Sequence, residues 1–119
     1  MKRTSHHGFT LIEVLEALVI FSVAFVGFVS LLVGTLHANV QAKHRTEAAT
    51  VAQDKLEELR ESTTLTAGSD SVTLPSGKTY SRGWTVGAGP TASVQSVTVT
   101  VSWTDYTAQT VQLTTVLKP

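Results

Sequence analysis

From Ala17 to Leu36 the chain runs for 20 residues without an acidic or basic side chain, and Val19, Ile20, Phe21, Phe25, Val26, Phe28, Leu31 and Leu32 dominate it. About 20 such residues are what a helix needs to cross a bilayer. What stands before the run is as constraining as the run itself. A short basic leader containing Lys2 and Arg3 leads into Gly8-Phe9-Thr10-Leu11-Ile12-Glu13. An ordinary secretory signal carries its cleavage site beyond the apolar core, which is then discarded. Here the candidate cleavage signal, Gly8, lies ahead of the core, so processing there keeps the helix in the mature chain.

The remaining length is modest. A chain of 119 residues has room for one small domain, and a leader plus a membrane stretch leave roughly 80 residues outside the bilayer. A core of that size is marginal by surface-to-volume scaling. No cysteine is present to brace it with disulfides or thiolate metal sites, so stability has to come from packing. The chain carries 9 basic and 9 acidic residues. Loss of Lys2 and Arg3 leaves seven against nine. No basic patch points to nucleic acid as a partner. Lys2 and Arg3 predict a cytoplasmic amino terminus, with the rest of the chain outside the cytoplasm. Lys43, His44 and Arg45 oppose that orientation, and the leader is read as the stronger signal.

Gly27, Ser30 and Gly34 interrupt the apolar run. In water such residues weaken a helix, whereas in lipid they let helices approach closely. The sequence leaves open whether they form a packing face or are merely tolerated. Two acids, Glu13 and Glu16, sit at the start of the run. A carboxylate in hydrocarbon is expensive and generally has a partner or a function. For Glu16 the headgroup level offers a hydrated alternative. For Glu13 there is a nearer partner: cleavage after Gly8 would place a new ammonium on Phe9, four residues earlier and on the same helix face. That ammonium can pair with Glu13 of its own chain or of an adjacent subunit. An unpaired charge in low dielectric is heavily penalised, which favours ordered, staggered addition of subunits.

The segment Gly8-Phe9-Thr10-Leu11-Ile12-Glu13-Val14-Leu15, with the apolar run behind it, resembles the class III signal of type IV pilins and type II secretion pseudopilins. The resemblance implies cleavage after Gly8 by the prepilin peptidase and N-methylation of Phe9. It also implies an assembly role for Glu13, paired with the methylated amine of a neighbouring subunit. Partners implied in the same way are other pilin or pseudopilin subunits, the inner-membrane assembly platform and membrane lipid. The implied location is the cytoplasmic membrane, crossed once, and then a fibre. Two departures narrow the resemblance. Major pilins commonly carry proline at the twenty-second mature position, which here is Ser30, and Glu16 is an acid where most members are apolar. The region from Thr46 to Arg60 is similar to the post-membrane helix of minor pilins of the PilV type and minor pseudopilins of the GspI type.

Residues 37–61 read as a continuation of the helix. Ala49, Ala52, Leu56 and Leu59 recur at intervals of three, four and three, an apolar stripe, with Glu47, Asp54, Lys55, Glu58 and Glu61 around it. The charge run from Asp54 to Glu61 is read as a solvated face. No proline falls between Thr10 and Glu61, which permits one helix of about 52 residues, roughly 78 Å long.

After Ser62 the composition changes. Residues 62–119 hold 22 Ser and Thr among 58, which alone would suit a linker, yet the apolar residues alternate. Val97, Val99, Val101 and Trp103 share one face and Thr98, Thr100, Ser102 and Thr104 the other, the period of a half-buried strand. Thr104-Asp105-Tyr106-Thr107 reads as a turn, after which Val111, Leu113 and Leu117 resume the pattern. Tyr80, Trp84 and Val86 form an earlier strand with Arg82 as the exception on its face. Pro75-Ser76-Gly77 and Gly87-Ala88-Gly89-Pro90 read as the turns bounding it, and Val72 with Leu74 as a short first strand. The expected fold is α+β: a long amino-terminal helix packed on a three- or four-stranded antiparallel meander. Trp84 and Trp103 are read as core aromatics. The domain reading is a leader at 1–8, a transmembrane and assembly helix at 9–36, its amphipathic continuation at 37–61 and a β-rich head at 62–119.

No motif of phosphate binding, metalloprotease or serine hydrolase type is present, and no close set of His, Asp and Glu. His6 and His7 would leave with the leader, while His37 and His44 lie two helical turns apart, too far for one metal ion. The sequence therefore predicts no enzyme, no catalytic residue, no metal and no cofactor. Three functions remain: a minor pilin or pseudopilin; a single-span anchored binding domain or adhesin that does not polymerise; and an accessory chain of a membrane enzyme complex.

Overall fold

The computed structural model describes residues 8–118; the leader residues Lys2, Arg3, His6 and His7 lie outside them. One helix, α1, runs Leu11–Glu61, close to the expected start at Thr10. Four strands follow: β1 Gly68–Thr73, β2 Thr79–Ala88, β3 Gln95–Thr104 and β4 Ala108–Leu117. They form one antiparallel sheet in the order β1-β2-β3-β4. The class is α+β, a long helix packed against a four-stranded sheet. The chain divides between Asn39 and Val40 into two compact units.

In the unit ending at Asn39, every large apolar side chain from Phe9 to Leu36 is exposed, Val29 at 41% being the most covered. An uninterrupted apolar surface of this kind has to be covered by lipid or by other chains. Its hydroxyls are satisfied locally. Ser22 donates to the Leu18 carbonyl at 2.7 Å, Ser30 to Val26 at 3.0 Å and Thr35 to Leu31 at 2.9 Å. That bond is the usual refuge for a mid-helix hydroxyl and matters most where no water can replace it. At Ser30, where the resembling family commonly has proline, the helix continues without a break.

In the second unit the carboxy-terminal part of α1 lies on the sheet. Ala48, Val51, Ala52 and Leu59 form one core with Tyr80, Val97, Val99, Val101, Trp103 and Leu117. Ala48 and Ala52 have no exposed surface, and their small side chains allow close approach of helix and sheet. The buried face of the helix, Ala48, Val51, Ala52, Lys55 and Leu59, is rotated from the stripe read in the sequence. Ala49 and Leu56 are only half-buried at its flanks. The stripe was traced through leucine and alanine alone, and the face also takes a valine and a lysine. Lys55 is therefore not part of a solvated run. It is 6% exposed, its ammonium lies 3.9 Å from the centre of the Trp84 ring, and it donates to Glu58 at 2.8 Å. The aliphatic stem packs while the charge finds a ring face and a carboxylate. The helix ends where Ser62 Oγ donates to the Glu58 carbonyl at 3.0 Å, satisfying one of its orphan acceptors.

Two turns differ from their sequence reading. Leu74 is not in β1 but opens the reversal into β2: Leu74 N–H donates to Lys78 O at 3.0 Å and Gly77 N–H to Leu74 O at 2.8 Å. Gly77 has φ of 80°, a conformation that glycine adopts without steric cost. Gly87 and Ala88 belong to β2, and the chain reverses over 89–94. A Cβ on Gly89 would stand 2.5 Å from the Val94 carbonyl oxygen, so that loop needs glycine at its start.

Candidate functional site

The residues singled out for processing and assembly lie where α1 begins. Gly8 and Phe9 precede the helix, and both are exposed, Phe9 at 90%. The Gly8–Phe9 bond is therefore exposed and lies outside any helix or strand. Thr10 is the residue before the first helical position, and Glu13 falls in the first turn. Glu13 Oε2 accepts from Thr10 N–H at 2.8 Å and from the Thr10 hydroxyl at 3.0 Å, and Thr10 Oγ1 accepts from Glu13 N–H at 3.3 Å. This reciprocal pair is a capping box, which satisfies otherwise orphaned donors at a helix start.

Thr10 was missed in the sequence, where Glu13 was paired only with an amine on Phe9. The signal was available: Thr-x-x-Glu before an apolar run. In the uncut chain the Phe9 nitrogen is a peptide nitrogen and carries no charge, so Thr10 is the partner Glu13 has. The carboxylate lies at the edge of an apolar hollow formed with Phe9, Val14, Ala17, Leu18 and Phe21. Glu16 is exposed on the same helix. Gly27 and Gly34 face open space, and Ser30 shares their side of the helix at spacings of three and four. All four of Ala49, Ala52, Leu56 and Leu59 lie in the second unit: Ala52 and Leu59 are in its core and Leu56 packs against it, whereas Ala49 is only half-buried and outside that core.

A second polar cluster joins residues that no local pattern connects. Asp105, in the turn between β3 and β4, accepts from Lys78 Nζ at 2.5 Å and from Trp103 Nε1 at 2.9 Å, with His44 Nδ1 at 2.9 Å. Its side chain is 8% exposed. Burial pushes the carboxyl upward, but the Lys78, His44 and Trp103 contacts outweigh it and hold the group at about 2. Nearby, the Tyr80 hydroxyl donates to Glu47 at 2.7 Å. Burial first, and the Glu47 carboxylate second, raise the phenol well above its ordinary value. Arg82, the exception in the strand pattern, stands opposite Asp70 in the β1–β2 register and donates to it at 2.7 and 2.5 Å. Each of these groups is satisfied within the fold, binding helix, strands and turns into one unit. Among the described residues no three His, Cys, Asp or Glu side chains come together to hold a metal ion.

Comparison with curated proteins and with solved structures gave no match for this chain. Residues 3–29 match the family described as the prokaryotic N-terminal methylation motif, a span containing Gly8, Phe9, Thr10, Glu13 and most of the apolar run. Carried at the head of an exposed apolar helix, that motif marks the chain as bearing the class III signal of type IV pilins and pseudopilins.

Proposed function

We propose that the chain is a minor pilin or pseudopilin, a structural subunit and not an enzyme, that enters or primes a type IV pilus or type II secretion pseudopilus through α1. The observation that carries this reading is Glu13: a carboxylate at the edge of an apolar hollow, four residues beyond the Phe9 nitrogen that cleavage would turn into an ammonium. The prepilin peptidase cleaves after Gly8 and methylates Phe9. The helix stays in the cytoplasmic membrane with its amino terminus inside and the head outside, until the assembly platform draws the subunit into the fibre. There Glu13 receives the methylated amine of a neighbour. Ser30 in place of proline and the helix from Thr46 to Arg60 favour a minor over a bulk subunit. The shallow count of polar residues in the apolar segment leaves the helix free to exchange lipid contacts for contacts with other subunit helices.

The variant Glu13→Gln tests the role of the charge. Glutamine preserves the capping box with Thr10 and removes only the ionic partner. The expected result is intact membrane insertion with loss of the chain from sheared fibres, read by immunoblot of the two fractions. Normal incorporation of Glu13→Gln would reduce Glu13 to a helix cap and remove it from assembly.

A further inference from the structure

Lys43 and Arg45 oppose the orientation read from the leader, and neither the processing motif nor the core gives them a use. Within the second unit the contacts between α1 and the sheet climb in step. His44 meets Asp105 at 2.9 Å, Glu47 meets Tyr80 at 2.7 Å, Val51 meets Arg82 at 3.4 Å and Lys55 meets Trp84 at 3.9 Å. β2 therefore runs with the helix and β3 against it. The β3–β4 turn, Asp105-Tyr106-Thr107, thus lies at the end of the head where α1 enters. His44 faces that turn, and Lys43 and Arg45 flank it, each turned by about 100° on the helix.

At this end the acids turn inward and the cations outward. Asp105 is 8% exposed and is taken up by Lys78, Trp103 and His44. Glu47 is 19% exposed and accepts from the Tyr80 hydroxyl. The Lys43 side chain is 65% exposed, and Arg45 is exposed with a contact to Gln109 at 3.4 Å. Tyr106 is 75% exposed, in a turn that the buried Asp105 network holds in place. An outward aromatic beside outward cations fits a lipid surface. Tyrosine settles at headgroup level, ring towards hydrocarbon and hydroxyl towards water. Lys and Arg next to a span attract anionic headgroups. α1 is one continuous helix, and Lys43 follows Leu36, the end of the apolar run, by seven residues, about 10 Å of rise. The headgroup layer is about 5–8 Å deep, and an extended basic side chain closes the difference. We infer that this end of the head docks on the membrane that α1 spans, with Lys43 and Arg45 on the phosphates of anionic lipids and Tyr106 among the headgroups. The inference needs α1 to stay in the membrane and does not need entry into a fibre.

The chain has no cysteine, so Thr107→Cys, exposed beside Tyr106, gives a unique site for a spin label. The full chain is reconstituted, dilute in lipid, into vesicles of phosphatidylcholine with or without phosphatidylglycerol. Accessibility of the label to a neutral, water-soluble nickel chelate is then read. Thr91→Cys, exposed in the loop between β2 and β3, is the aqueous reference, and Val29→Cys reports the span. The expected result is a label at 107 shielded in phosphatidylglycerol vesicles and nearly as open as that at 91 in phosphatidylcholine. Lys43→Gln and Arg45→Gln each lower the ratio of docked to free heads about fivefold, and Tyr106→Ser lowers it as well. Near-ultraviolet circular dichroism stays as in the parent chain, because all three side chains are exposed. Inorganic phosphate at constant ionic strength leaves the shielding in place. A label at 107 as open as that at 91 in both lipids would overturn the inference. So would shielding indifferent to the variants, shielding removed by inorganic phosphate, or shielding lost on further dilution in lipid, which marks a neighbouring subunit. Failure of the membrane reading looks different: the label at 29 is then itself open to nickel.

Discussion

While the Gly8–Phe9 peptide is intact, Glu13 is held by Thr10 through the backbone N–H at 2.8 Å and the hydroxyl at 3.0 Å; under the proposed processing an ammonium one residue earlier competes for the same oxygens. A helix cap of this kind is worth about 1 kcal/mol, so it positions the carboxylate without holding it against a charged partner. Asp105 poses the opposite case, a carboxylate that several fixed donors satisfy permanently. Its folded value of about 2 lies below the ordinary 3.8. The stabilisation it provides is thus complete above pH 3.8 and lost as pH falls through about 2. The expected outcome is a loss of tertiary signal from Trp103 and Tyr80 between about pH 4 and pH 2 in the detergent-solubilised chain, followed by near-ultraviolet circular dichroism. Asp105→Asn should flatten that step and lower stability at neutral pH; an unchanged acid transition would show that Asp105 does not govern it. The Thr10–Glu13 pair, three residues apart, left a signal in the sequence that the pairing of Glu13 with Phe9 passed over. The Asp105 cluster left none, since His44 lies 61 residues from it and the sheet alone brings them together.

At the scale of elements, the helix was readable almost to the residue because no proline falls between Thr10 and Glu61, and because Ser and Thr can return their hydroxyls to the preceding turn. The alternation from Val97 to Trp103 likewise carried through: Val97, Val99 and Val101 have no exposed surface. What failed was the rotation of the helix on the sheet. Periodicity marks a stripe, but three and four residue steps from Ala48 and from Ala49 differ by only 100°, and the sheet selected the former. Lys55 was misplaced for a related reason, since a lysine reads as polar even when its stem packs and Trp84 receives its charge. The selected face carries a clear expectation. Ala52 is fully buried, so Ala52→Leu forces helix and sheet apart and should cost about 1–3 kcal/mol by overpacking. The same change at Gln53, which is exposed, should leave thermal stability close to wild type. Equal effects at the two positions would contradict the observed packing.

For the molecule as a whole, the two units draw on different sources of stability. The second has its own core of helix and sheet residues, while the first exposes its apolar side chains along its length and has to be covered by lipid or by other chains. An ordinary secreted protein would discard such a segment. Here the motif, matched over residues 3–29, stands ahead of the helix, and under the proposed processing the segment is kept and only the residues before Phe9 are lost. That claim is tested most directly by the intact mass and amino-terminal peptide of the chain recovered from sheared fibres. The account predicts a first residue of Phe9 carrying one added methyl group, with residues 1–8 absent. A fibre-associated chain that begins at unmodified Met1, or that has lost the apolar helix, would contradict it.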